Sequence, residues 1–229
     1  MKTALLLPGH MRRFREALAN QHACVVEPLN CDIFISTSTA DTSVNGNNIY
    51  VENHLLGDLQ RLVRGAYGSR LKGLVVEEGE SEKEAKLGAK QWMRLKQCNQ
   101  ARKEYEKENG FKYDFVVRAR TDILFSRELS FDDVVEGSIS LLPHFDSKIE
   151  IHDQFAFGQP DLMDIYCELY DHFLPRDQGG RSEDQLYNWL MKNKIKLLDV
   201  SSNLQFSMLR GHSQIEVDKL FSFMDGFSE

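Results

Sequence analysis

Short apolar runs alternate with amphipathic stretches through the first half of the chain, and that alternation predicts its elements. Residues 3–7, Thr-Ala-Leu-Leu-Leu, form an apolar run too short for a helix and ended by Pro8-Gly9, which reads as a buried strand. From 11 to about 21, Met11, Phe14, Ala17 and Leu18 recur at helical spacing. Residues 32–35 predict a second strand, followed by a polar loop, Ser36-Thr37-Ser38-Thr39. Residues 40–54 are rich in Asp, Asn, Ser, Thr and Gly, which predicts a mobile loop or lid. A helix is expected over 55–67, with Leu55, Leu59, Leu62, Val63 and Ala66 on one face, and a strand at 74–76. The capping box Ser81-Glu82-Lys83-Glu84 opens a long helix that turns Trp92, Leu95, Cys98 and Tyr105 inward and stops at Asn109-Gly110. Its other face, dense in Lys, Arg and Glu, reads as solvated. Phe115, Val116 and Val117 then supply a fourth apolar run.

The order β-α-β-α-β-α-β predicts a mostly parallel sheet with helices on both faces. Beyond residue 125 the pattern is mixed. A short capped segment is expected at 129–135, strands at 138–142, 152–158 and 195–200, and an extended tail at 203–210. Pro160 opens a helix reaching about 173. After a polar loop at 175–181, the second capping box Ser182-Glu183-Asp184-Gln185 opens a helix to about 193 that buries Leu186, Trp189 and Leu190. The expectation is one α/β domain over 1–229, with a nucleotide-binding half (1–125) and a mixed C-terminal half (126–229), which the resemblance given below makes the acceptor and donor-sugar half.

Composition narrows the function classes. With 41% hydrophobic and 28% charged residues, the chain has an ordinary globular composition. A net charge of −7 argues against broad adhesion to nucleic acid or anionic membrane. No run approaches the roughly 20 apolar residues of a membrane span, and the first apolar run is too short for a signal peptide, so a cytoplasmic protein is expected. Cys24, Cys31, Cys98 and Cys167 lie far apart without a C-x-x-C pair, which favours reduced core thiols over a zinc site.

The candidate chemistry gathers where strands end. Arg118 and Arg120, followed by Asp122, close the fourth apolar run, and charges at a strand's carboxyl end in an open α/β sheet face the ligand crevice. Two cations beside one carboxylate suit a phosphorylated ligand, with or without a divalent ion; the same residues also suit an ion pair that ties off the strand. Gly9 precedes Arg12 and Arg13, so a glycine turn would aim backbone N–H groups and one of these arginines at an anion. Neither G-x-G-x-x-G nor G-x-x-x-x-G-K-[ST] is present.

Together, "LLLPGHMRRF", "CDIFISTST", "YDFVVRARTDILF", "HDQFAFG" and "SEDQLYNWL" make the chain similar to small GT-A-type glycosyltransferases of the bacterial and viral polysaccharide-synthesis kind. The resemblance implies a nucleotide-diphosphate sugar donor and a glycan or other hydroxyl acceptor. It implies a D-x-D-type motif at the fourth strand holding Mn²⁺ or Mg²⁺. Here that stretch is Arg120-Thr121-Asp122, with only the last carboxylate present. By the same resemblance Gly9, Arg12 or Arg13, Ser36, Thr37, Arg118, Arg120 and Asp122 surround the nucleotide. Asp153 and Gln154 bind sugar or acceptor hydroxyls, Glu183 or Asp184 is the catalytic base, and His212 joins Asp122 at the metal. Two other readings stand beside it: a non-catalytic carbohydrate- or partner-binding domain on a degenerate transferase scaffold, and a sugar nucleotidyltransferase.

Overall fold

The structure is a computed structural model that describes residues 1–11, 13–45, 48–79, 89–142, 151–173, 180–202 and 204–209; within 41–45 and 48–52 only the backbone is described. Its centre is a seven-stranded sheet of β1 (Thr3–Pro8), β2 (Cys31–Ser38), β5 (Leu71–Glu77), β6 (Phe115–Ala119), β8 (Ser138–Leu141), β9 (Phe155–Gly158) and β10 (Lys196–Asp199). The spatial order is β10-β8-β9-β6-β1-β2-β5. Every pairing is parallel except those of β9, which runs antiparallel to both β6 and β8. The chain is therefore α/β with a mixed, mostly parallel sheet, as the alternation of apolar runs and amphipathic stretches predicts. Two pairs stand apart from it: the hairpin β3 (Ala40–Asn45) with β4 (Asn48–Asn53), and β7 (Ile123–Phe125) with β11 (Phe206–Met208).

Strand side chains alternate between two layers. Leu5, Leu7, Ile33, Ile35, Val117 and Ala119 pack on one face with α1 (Phe14–Gln21) and α2 (Leu56–Tyr67). Ala4, Leu6, Phe34 and Val116 pack on the other with α3 (Lys90–Asn109), α4 (Pro160–Cys167) and α5 (Ser182–Lys192). Gly73 of β5 lies so close to Phe34 that an added Cβ would stand 2.7 Å from its Cδ1. All four cysteines are free and buried. Among the described residues no helix is long and apolar enough to cross a membrane.

Several expectations are corrected. Residues 40–53 form a hairpin rather than a loop: β-branched Thr42, Val44, Ile49 and Val51 alternate along its two strands, and Asn45 pairs with Asn48. Ser36, Thr37 and Ser38 are not a loop but the buried end of β2. The first helix begins at Phe14 rather than Met11, because Arg13 sits in the left-handed region (φ 44°) and serves as its N-cap. It leads into a π-helical turn, His22–Val26.

The polar face of α3 is not wholly solvated. Buried Arg102 donates to Asn99 Oδ1 and Glu106 Oε1, each at 2.9 Å, and pairs with Asp164 of α4. Ser182 is not the cap of α5. Arg181 takes that position and Asp184 completes the box. The expected box at residues 81–84 lies outside the described residues.

Candidate functional site

In chain order the sheet grows from β1 through β2 to β5, then returns to place β6 on the other side of β1. The carboxyl ends of β1 and β6 thus flank a topological switch point, where open α/β sheets take their ligands. The two ends are tied together, since Thr121 Oγ1 donates to the His10 carbonyl at 2.6 Å. Because β9 is antiparallel and Phe155 pairs with Ala119, Asp153 and Gln154 enter the sheet at this same edge.

Arg118 shares the α3 face with Val116. It is 1% exposed, and its Nε and Nη1 have no hydrogen-bond partner among the described residues. Leaving a buried donor unmet costs about 1–3 kcal/mol, and more when the group is charged. A second buried guanidinium, Arg94 of α3, approaches the same region. Its Nη2 donates to Ser38 Oγ at 2.8 Å and its Nη1 lies 3.2 Å from His10 Nε2. The His10 Nδ1 is 3.4 Å from the same serine oxygen, so the contacts are satisfied with the imidazole proton on Nδ1. Burial pushes the Cys98 thiol well above its ordinary pKa, and both Arg118 and Arg94 oppose that push. Burial likewise raises the Tyr166 phenol, which Arg118 opposes and Asp153 reinforces. Arg118 thus acts on both Cys98 and Tyr166, Arg94 on the first and Asp153 on the second.

The first turn of α3 holds the acidic side of the site. Gln91 Nε2 donates to Asp153 Oδ2 and to Ser182 Oγ, both at 2.6 Å, and Trp92 Nε1 donates to the same hydroxyl at 2.9 Å. The start of α5 is thereby fastened beside Asp153. Of its two acids, Asp184 is engaged by the Arg181 N–H and guanidinium, both at 3.4 Å. The half-buried Glu183 has no hydrogen-bond partner among the described residues. The Gln154 amide oxygen is buried and has no hydrogen-bond partner among the described residues, which leaves its acceptor capacity unused by them.

Arg13 does not join Arg118, Arg120 and Asp122 as expected. Arg13 lies on the α1 side of the sheet, bonded to Glu16 Oε1 at 3.1 Å and to the Leu209 carbonyl at 3.4 Å. Thr37 points to that face as well. The Gly9 N–H does not face an anion: it donates to the Ser36 carbonyl at 2.9 Å, prolonging the β1–β2 ladder. The Ser36 hydroxyl is committed to Gln97. Arg12 and His212 lie outside the described residues.

Arg120 and Asp122 form a two-point ion pair. Nε and Nη2 donate to the two carboxylate oxygens at 2.7 Å each, and Asp122 is 1% exposed. The arrangement does not fit Mn²⁺ or Mg²⁺, because both oxygens of the one D-x-D carboxylate already face a guanidinium. No group of three His, Cys, Asp or Glu among the described residues is arranged to hold a metal ion. The ion-pair reading of Asp122 is the one its surroundings favour.

Arg94 and Gln91 are residues of this edge that charge patterning misses, and for Arg94 the signal lies in helical projection. Arg94, Cys98, Arg102 and Glu106 form one stripe at four-residue spacing, so an inward Cys98 carries its charged neighbours inward with it. Among known proteins, no family model and no curated protein matches the chain.

Proposed function

We propose that the protein is a GT-A-type glycosyltransferase that moves a sugar from a nucleotide-diphosphate donor to a hydroxyl acceptor. The observation that carries this reading is the buried guanidinium of Arg118, whose Nε and Nη1 have no hydrogen-bond partner among the described residues, beside the switch point between β1 and β6. The Arg120–Asp122 stretch also follows the fourth main-sheet strand in chain order, where the D-x-D-type motif of such enzymes falls.

The roles follow from charge development. As the sugar–phosphate bond breaks, the anomeric carbon becomes electron-poor and negative charge builds on the departing diphosphate. Arg118, with Arg94 beside it, supplies fixed positive charge there, and neither has to reorganise during the reaction. Asp153, oriented by Gln91, and the Gln154 amide oxygen accept from sugar hydroxyls. Glu183 takes the proton from the acceptor hydroxyl as its oxygen bonds to the anomeric carbon and the diphosphate leaves with the bonding pair. Asp184 holds the helix start that presents Glu183. No step is routed through a divalent ion.

The test is donor turnover. A panel of nucleotide-sugars is incubated with the protein, and release of nucleoside diphosphate is followed with and without hydroxyl acceptors. One donor is expected to turn over, and Arg118→Met is expected to slow it by about 100-fold or more, as loss of a preorganised electrostatic contact does. A second reading, a non-catalytic carbohydrate-binding domain on this scaffold, is favoured by the closure of Asp122 against Arg120. Donor binding without turnover on any acceptor would select it.

A further inference from the structure

Two adjoining cavities lie between α1 and α2, on the face of the sheet opposite Arg118. One measures about 580 Å³ and the other about 320 Å³, and they share Phe14, Arg15, His54 and Leu62. The groove begins at the strand ends. Met11 follows His10, whose carbonyl is tied to Thr121, and the His54 N–H donates to the carbonyl of Thr39, just past β2. Its floor is apolar, from Phe14 and Leu62, and its walls carry Arg13, Arg15 and Arg61. Arg13 is paired with Glu16 and Arg61 with Asp58, while exposed Arg15 has no carboxylate partner among the described residues. Three guanidiniums thus face two carboxylates in a chain whose net charge is −7.

We propose that this groove binds an anionic saccharide, one bearing carboxylate or phosphate groups. An apolar floor suits the C–H face of a pyranose ring, and planar guanidiniums bind carboxylates and phosphates through two parallel N–H bonds. The larger cavity is of the size that small-ligand sites use. The binding rests on the groove alone and not on the transferase reading.

Calorimetric titration of the full chain tests it with three saccharides. Tetragalacturonate carries carboxylates, a phosphorylated mannotetraose carries phosphate, and maltotetraose is neutral. At least one charged saccharide is expected to bind, and the arm that does identifies the anion. The double variant Arg15→Glu, Arg61→Glu is expected to weaken that binding by about tenfold or more, while Arg64→Glu stays within about twofold. Arg64 is an exposed residue of the same helix outside the groove, so it reports the effect of net charge alone.

The proposal is overturned if neither charged saccharide binds or if maltotetraose binds as tightly. It is equally overturned if Arg64→Glu weakens binding as much as the double variant, or if a single-stranded oligonucleotide competes on equal terms. Arg118→Met separates the two sites, since it is expected to leave this titration unchanged. Saccharide binding that persists while every nucleotide-sugar fails would sink the transferase reading and leave the groove assignment standing.

Discussion

On the proposed function, Arg118 is kept for a ligand rather than for the fold. A buried guanidinium with unmet donors weakens the free protein, and an apolar replacement of similar length removes that burden. Arg118→Met is therefore expected to unfold at the same or a higher urea concentration than the natural chain while losing its response to nucleoside diphosphates. A large drop in the midpoint would mean that Arg118 serves the core instead. Asp122 makes the opposite prediction. Asp122→Asn breaks a two-point pair whose acid is buried, and is expected to destabilise the protein by about 1–3 kcal/mol in urea unfolding. An unchanged midpoint would show that the pair contributes nothing. Such differences could not be read from the string Arg118-Ala119-Arg120-Thr121-Asp122. Alternation sends Arg118 and Arg120 toward the same face, yet one guanidinium finds a carboxylate just beyond the strand end and the other finds none among the described residues.

Among the elements, the strands were the most legible. Short apolar runs bounded by Pro8-Gly9 and similar breaks can bury both faces only as strands within a layered sheet. Hairpin β3–β4 was misread because its alternating β-branched residues are diluted by Asn and Asp, which composition alone assigns to a loop. Close packing between elements left little trace in sequence. Gly73→Ala is expected to cost about 1–3 kcal/mol, because the new methyl meets Phe34 of β2 at 2.7 Å and Ala101 of α3 at 3.1 Å. Urea denaturation reads the loss, and a neutral result would mean that α3 yields freely.

The short 3₁₀ segment Phe131–Asp133 carries a pH prediction. Burial pushes the Asp133 carboxyl up, but the Arg127 guanidinium and the Ser130 N–H outweigh it and hold the carboxyl below its ordinary value of 3.8. A depressed native pKa stabilises above the unfolded value, and that contribution disappears as pH falls through the native one. Stability measured from roughly pH 5 down to pH 2 should therefore fall less steeply in Asp133→Asn than in the natural chain. Parallel slopes would contradict the assignment.

Across the whole molecule, the sheet's connectivity decides where chemistry can occur. The run of parallel strands followed from the order of elements, but the antiparallel entry of β9 did not, because pairing is non-local and β9 shows no pattern that its neighbours lack. That single reversal delivers Asp153 and Gln154 to the edge where β1 and β6 end. Arg12 and Arg13 are near the edge in sequence, yet Arg13 belongs to the α1 side, while Arg94 reaches the Arg118 side through α3.

The decisive measurement is calorimetric titration of nucleoside diphosphates into the natural chain and into Arg118→Met, without added metal. At least one nucleoside diphosphate should bind the natural protein, and its affinity should fall by about tenfold or more in the variant, as loss of a charge-assisted contact to phosphate would produce. Equal affinity in both proteins, or no binding to the natural chain, would contradict a diphosphate site at Arg118.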